Sequence, residues 1–138
     1  MKSQIEKPFL LGLVKGDLPT ECFQYWLRVD YPYLHNFVKV CALGMVKAST
    51  PEDVDVMLYH VQSVQEEMRD HEKHAKELGM SREDLLSYPM GPLKYSYTRH
   101  QLASAYDGSL GDTQAAILAC QWGYGEAVRR LLDKHTLE

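Results

Sequence analysis

The sequence predicts an all-α bundle of about five helices. Three observations carry this: long segments repeat their apolar residues at helical spacing, no alternating strand pattern of useful length occurs, and helix-start signals recur between short loops. The opening Pro8-Phe9-Leu10-Leu11 is apolar, and Lys15-Gly16-Asp17-Leu18-Pro19 reads as a turn. Thr20 is placed to cap a helix to about Lys47, with Phe23, Trp26, Leu27, Leu34, Phe37, Val38 and Cys41 on its apolar side. Pro32 lies inside that helix. It removes an amide donor, so a bend is expected near Asp30.

Ser49-Thr50-Pro51-Glu52-Asp53 combines a hydroxyl cap, a proline at the first helical position and acids facing the positive end of the dipole. The helix it opens should run to Leu78 and stop at Gly79. Ser81 with Asp84 opens a short helix through Ser87. Tyr88-Pro89-Met90-Gly91-Pro92 is a connector, followed by a helix from Pro92 to Gly108. Asp112 is expected to cap the last helix, which reaches about His135. Short loops make neighbouring helices mostly antiparallel, within one domain over residues 1–138.

Composition narrows the function. A net charge of −4 gives no basic footprint, so nucleic acid is not an expected partner. No apolar stretch is long enough to span a membrane, and Met1–Lys7 lacks the apolar run of a secretory signal. Cys22, Cys41 and Cys120 are few and widely spaced, as in reduced cytoplasmic proteins. The expectation is a soluble cytoplasmic protein.

Chemistry-bearing residues concentrate in the last two helices: Tyr95, Tyr97, His100, Tyr106, Cys120, Trp122 and Tyr124. Cys120 and Tyr124 are four apart and share a helical face. Buried phenols need partners, so these tyrosines read either as a polar network in a core or as the wall of a pocket for a flat heteroaromatic ligand. Asp30 sits among Tyr25, Trp26, Leu27, Tyr31 and Tyr33. An acid in that setting is bound to a partner, has a raised pKa, or projects to water from the helix edge. Cys120 is either a small core residue or a nucleophile.

Glu66, Glu67, Asp70, His71, Glu72 and His74 form a mixed run whose simplest reading is a solvated face. A metal pair built on Glu67 and His74 is the alternative. No phosphate-cradling loop, Cys-x-x-Cys site or nucleophile elbow is present.

Several segments together resemble the TenA family of thiaminase II proteins. They are Pro8-Phe9, Gly16-Asp17-Leu18-Pro19 with Phe23, Leu27–Leu34, Glu67-Met68 with His71, Tyr95-Ser96-Tyr97-Thr98-x-His100, and Ala119–Glu126. The resemblance implies a heme-oxygenase-like helical fold and hydrolysis of an aminopyrimidine or thiamin in thiamin salvage, with no cofactor and no metal. Carried over by position, Asp30 resembles the pyrimidine-binding carboxylate, and Tyr33, Tyr97 and Tyr124 the pocket tyrosines. Cys120 matches the nucleophile. The implied chemistry is thiolate addition to the pyrimidine, departure of an amine or the thiazole, and completion by water.

Family members are usually longer, so the bundle is expected to be incomplete. The resemblance places two more helices, a further tyrosine and a carboxylate acid/base in the part absent here. Lys7 stands where His is common, and Val29 where Gln precedes the aspartate. An incompletely covered bundle, together with the family's habit of assembling, leads to the expectation of a homo-oligomer. Two other readings follow from the same residues: a di-metal oxidase on this bundle, and a non-catalytic helical assembly module.

Overall fold

A computed structural model describes residues 7–135, with the side chains of 134 and 135 outside the description. Six helices are present among them: α1 Pro8–Lys15, α2 Thr20–Val46, α3 Pro51–Glu77, α4 Arg82–Ser87, α5 Pro92–Asp107 and α6 Leu110–His135. No strand occurs among the described residues. Helix α1 adds to the five read from the sequence. Its eight residues are too short for a periodic signal, but Pro8 opens it and Gly16 closes it at φ 73°. That left-handed turn lets the amides of Asp17 and Leu18 reach back to the Gly12 carbonyl at 3.1 and 3.2 Å.

Two compact units can be distinguished. One comprises the residues up to Phe23 with those from Ile117 onward; the other is Gln24–Ala116. The larger unit holds most of the buried side chains. Leu27, Tyr31, Phe37, Val40 and Cys41 from α2 are buried, as are Met57 of α3, Leu85 of α4 and Ala105 of α5. Gly44 permits the closest approach in this core. A Cβ there would lie 2.8 Å from Met57 Cε and 3.1 Å from Thr113 Cγ2.

The starts of α3 and α4 follow the sequence reading. Thr50 Oγ1 accepts from the Asp53 amide at 3.1 Å, and Ser81 and Asp84 exchange side-chain-to-backbone bonds of 3.1 and 2.7 Å. Two caps are corrected. Thr20 is the first residue inside α2, and the Pro19 carbonyl in front of it accepts from Cys22 at 3.0 Å. At α6 the cap is Ser109. Its Oγ accepts from the Asp112 amide at 3.3 Å, while Asp112 Oδ2 accepts from the Ser109 amide at 2.8 Å. Asp112 is thus the third helical residue of a capping box, where its charge still faces the dipole.

Long polar side chains secure the helix ends in the larger unit. Lys47 donates to the carbonyls of Tyr106 and Gly108 at the end of α5, the former at 2.8 Å. Gln24 Nε2 donates to the Leu78 carbonyl at 3.3 Å, where α3 ends before Gly79 at φ 75°. Tyr31 donates to Glu72, and Arg82 Nε to the Tyr31 hydroxyl at 3.3 Å, which fastens α4 beside α2 and α3. Helix α2 runs without interruption through Pro32, whose carbonyl accepts from Asn36 Nδ2 at 2.8 Å.

Candidate active site

Asp30 is buried, with 3% of its surface exposed, so it does not project to water. It lies two residues before Pro32 on α2, and both of its carboxylate oxygens have cationic neighbours. Lys94 Nζ, from the first turn of α5, is 2.6 Å from Oδ1. His71 Nε2, from α3, is 3.3 Å from Oδ2. Burial by itself pushes the Asp30 carboxyl up; the contacts with His71 and Lys94 outweigh it and hold the group below its ordinary value. The acid in the aromatic run is therefore a paired carboxylate.

His71 is buried as well, beneath the Trp26 ring at a centroid distance of 4.8 Å. Its Nδ1 lies 2.9 Å from the Glu67 carbonyl. An acceptor oxygen lies near each ring nitrogen, an arrangement that favours the imidazolium through the charge of Asp30, although Nε2 makes no well-aligned hydrogen bond. Burial lowers the His71 pKa, but Asp30 and Glu67 reverse this and raise it. Glu67 is itself raised, by burial and then by the negative charge of Asp30. These three offer ligand atoms within 4.8 Å of one another. That is the arrangement among the described residues that could hold a cation, and it uses His71. His74, paired with Glu67 in the metal alternative read from the sequence, is instead turned outward, with Nδ1 2.8 Å from the Asp70 carbonyl.

The aromatic part of the site is adjacent. Tyr33, one turn after Asp30, stacks on Tyr97 with centroids 5.9 Å apart and ring planes 15° from parallel. Lys94 Nζ lies 5.2 Å from the Tyr33 ring centroid, so one ammonium borders both the carboxylate and the ring pair. Gln101, fully buried on α5, donates to the Tyr33 hydroxyl at 3.3 Å and to the Ala116 carbonyl at 3.3 Å. Thr98 Oγ1 bonds the Lys94 carbonyl at 2.9 Å and is buried one turn on from it.

The structure thus brings Asp30, Tyr33 and Tyr97 together, with Lys94, His71 and Gln101 as members that the sequence reading does not place there. Lys94 carries no local signal, since a lysine on an ordinary helix usually faces water. Gln101 is equally silent. His71 could have been found from its position one turn after Glu67. Cys120 and Tyr124 belong to the other unit, four residues apart on α6; Cys120 is half-buried and Tyr124 is exposed. Of the remaining aromatic side chains on the last two helices, Tyr95 and Tyr106 of the larger unit and Trp122 of the other are exposed. Glu126, on the same helix, is paired with Arg129 and Arg130 and held down to about 2. This favours its ionised form across the neutral range.

A buried, ionised aspartate beside stacked tyrosines in an all-α bundle defines a class: helical proteins with a charged and aromatic cluster inside the bundle. Similarity to known proteins makes this specific. The sequence pattern of the TENA/THI-4/PQQC family matches residues 1–138, and the chain belongs to that family. The aminopyrimidine aminohydrolase of Bacillus subtilis is 35% identical over 126 residues, covering 91% of this chain and 53% of that protein. A TenA family transcription regulator from Silicibacter superposes with a TM-score of 0.85 at 34% identity, over 94% of this chain and 58% of that one. A TenA homologue from P. horikoshii superposes with a TM-score of 0.87 at 29% identity, over 96% of this chain and 62% of that one. The chain spans between 53% and 60% of the length of the first four curated relatives it matches. No helix among the described residues is long and apolar enough to cross a membrane.

Proposed function

We propose that this chain is a TenA-like domain that binds an aminopyrimidine at Asp30 and hydrolyses it with Cys120 as nucleophile, as part of thiamin salvage. The observation that carries the reading is the ionised, buried Asp30 next to the Tyr33–Tyr97 pair. A carboxylate accepts from an exocyclic amino group, and phenol rings cover the faces of a flat heterocycle. Curated relatives at 35% identity are named for this hydrolysis, which supports the same direction.

In this reading Tyr124 lies beside the nucleophile one turn later on α6. The Cys120 thiolate adds to the pyrimidine, the amine departs carrying a proton, and water replaces the sulfur to give the hydroxylated product and free thiolate. His71 and Glu67, both with raised pKa values beside Asp30, can hold protons in transit. The site works in the cytoplasm, within a homo-oligomer and without a cofactor.

The test is ammonia release from an aminomethyl-substituted aminopyrimidine by the purified chain. Turnover that disappears in Cys120→Ser and Asp30→Asn supports the assignment. Turnover undiminished in both would remove it.

A further inference from the structure

Asp30 is screened on its outer side. Lys94 has 28% of its side chain exposed against 4% for Asp30, so the ammonium forms the solvent-facing half of the pair. With Lys94 Nζ 2.6 Å from Oδ1, an acceptor and a charged donor lie side by side. The same ammonium borders the Tyr33 ring, which stacks on Tyr97. A flat ligand on that ring pair that turns one edge toward Asp30 meets both groups at once.

We propose that Lys94 is the specificity-determining residue of this site. It makes the site select a neutral aminopyrimidine edge, with the amino group donating to Asp30 and the adjacent ring nitrogen accepting from Lys94, over a positively charged ring. The inference rests on the aminopyrimidine reading above and adds to it a donor that this reading does not contain. A lone carboxylate would favour the protonated ring, because the amino group then donates more strongly and the positive charge is attracted. A carboxylate already balanced by an ammonium gives a cation no net attraction and leaves the ammonium's donors unused. His71 and Glu67 from α3 and Tyr33 from α2 also face this pair. They surround either ligand in the wild type and in a Lys94 variant alike, so at one pH the change in preference between the two proteins isolates Lys94.

The experiment is titration calorimetry of the whole chain at a single neutral pH with two probes. One is 4-aminopyrimidine; the other is 4-aminopyridine, which replaces the ring nitrogen beside the amino group by C–H and is a cation near neutrality. The wild type should prefer the pyrimidine by about tenfold or more, the scale of one charge-assisted hydrogen bond. Lys94→Met should lose or reverse that preference, and Lys94→Arg should keep it. Equal affinities, or a tighter pyridine, in the wild type would overturn the role of Lys94 while leaving the aminopyrimidine reading intact. So would a Lys94→Met protein that keeps the full preference. Failure of the wild type to bind the pyrimidine at all removes both readings together. Should Lys94→Met not fold, Lys94→Gln takes its place, and a full preference kept in that variant would overturn the proposal equally.

Discussion

His71 Nε2 lies 3.3 Å from Asp30 Oδ2 in the interior of the larger unit, and each residue moves the other's pKa toward its charged form. The pair makes stability depend on pH at two ends. Asp30 is lowered in the fold, so its contribution is present above its ordinary value of 3.8 and is lost as pH falls through the lower folded value. His71 is raised, so its contribution is complete below its ordinary 6.5 and is lost as pH climbs through the higher folded value. Urea melts from pH 5 to 9 should therefore show stability declining above roughly pH 6.5. His71→Gln should flatten that decline. Glu67, also raised, adds a fall in the same direction at lower pH, which the His71 variant leaves in place. A decline unchanged in His71→Gln would contradict the pairing.

Asp30→Ala should be among the costliest single changes in the chain. It leaves the buried His71 and the half-buried Lys94 without their counter-charge, a loss of about 3–5 kcal/mol when one member of a buried pair is removed. Chemical denaturation measures it. A loss below about 1 kcal/mol would place the group in water, against the observed burial.

Gly44→Ala tests the packing of the same unit. Helix propensity alone favours alanine by about 1 kcal/mol, but the new methyl group would press on Met57 and on the fully buried Thr113. Met57 Cε can swing aside, whereas Thr113 has little room. We expect a net destabilisation of about 1–2 kcal/mol. An increase in melting temperature would show that α2 is not held as closely to its neighbours as described.

The three cysteines should separate by environment. Cys41 is buried and its thiol is pushed up to about 12, which leaves no thiolate at neutral pH. Cys22 is exposed. Serine at Cys41 should cost about 1–3 kcal/mol of stability and spare hydrolysis; serine at Cys22 should change neither. Serine at Cys120 should abolish hydrolysis. Ammonia release by the three variants checks the pattern, and a reversed order would mean another nucleophile.

The chain should also associate. On α6, Leu118, Trp122 and Val128 are 59%, 56% and 53% exposed, more apolar surface than a helix usually offers to water. Covering even about 500 Å² of such surface is worth roughly 12 kcal/mol by area. Light scattering at micromolar concentration should give a mass above 15.8 kDa. Trp122→Ser should lower it, and a clean monomer would refute the idea.

The helices are legible in the sequence because their signals are local. Thr50-Pro51 and Ser81–Asp84 announce their caps within four residues. Asp112 reads as the cap of α6 in place of Ser109 because both belong to one box and either residue type can cap. In the site, Asp30, Tyr33 and Tyr97 are legible as residue types out of place on a helix and through the family resemblance. Lys94 and Gln101 are not, since a residue 64 positions from Asp30 enters its surroundings only through the packing of α5 on α2. His71 falls in a charged run that reads as solvated, and its burial is a property of α3's inward face, which only the fold defines.

The central claim is that Asp30 holds an aminopyrimidine. Calorimetric titration of the wild-type chain and of Asp30→Asn with the aminomethyl-substituted aminopyrimidine tests it most directly. The account predicts saturable one-to-one binding by the wild type and an affinity at least about tenfold weaker in the variant, the loss of one charge-assisted contact. Equal binding by both proteins, or none by a folded wild type, would contradict it.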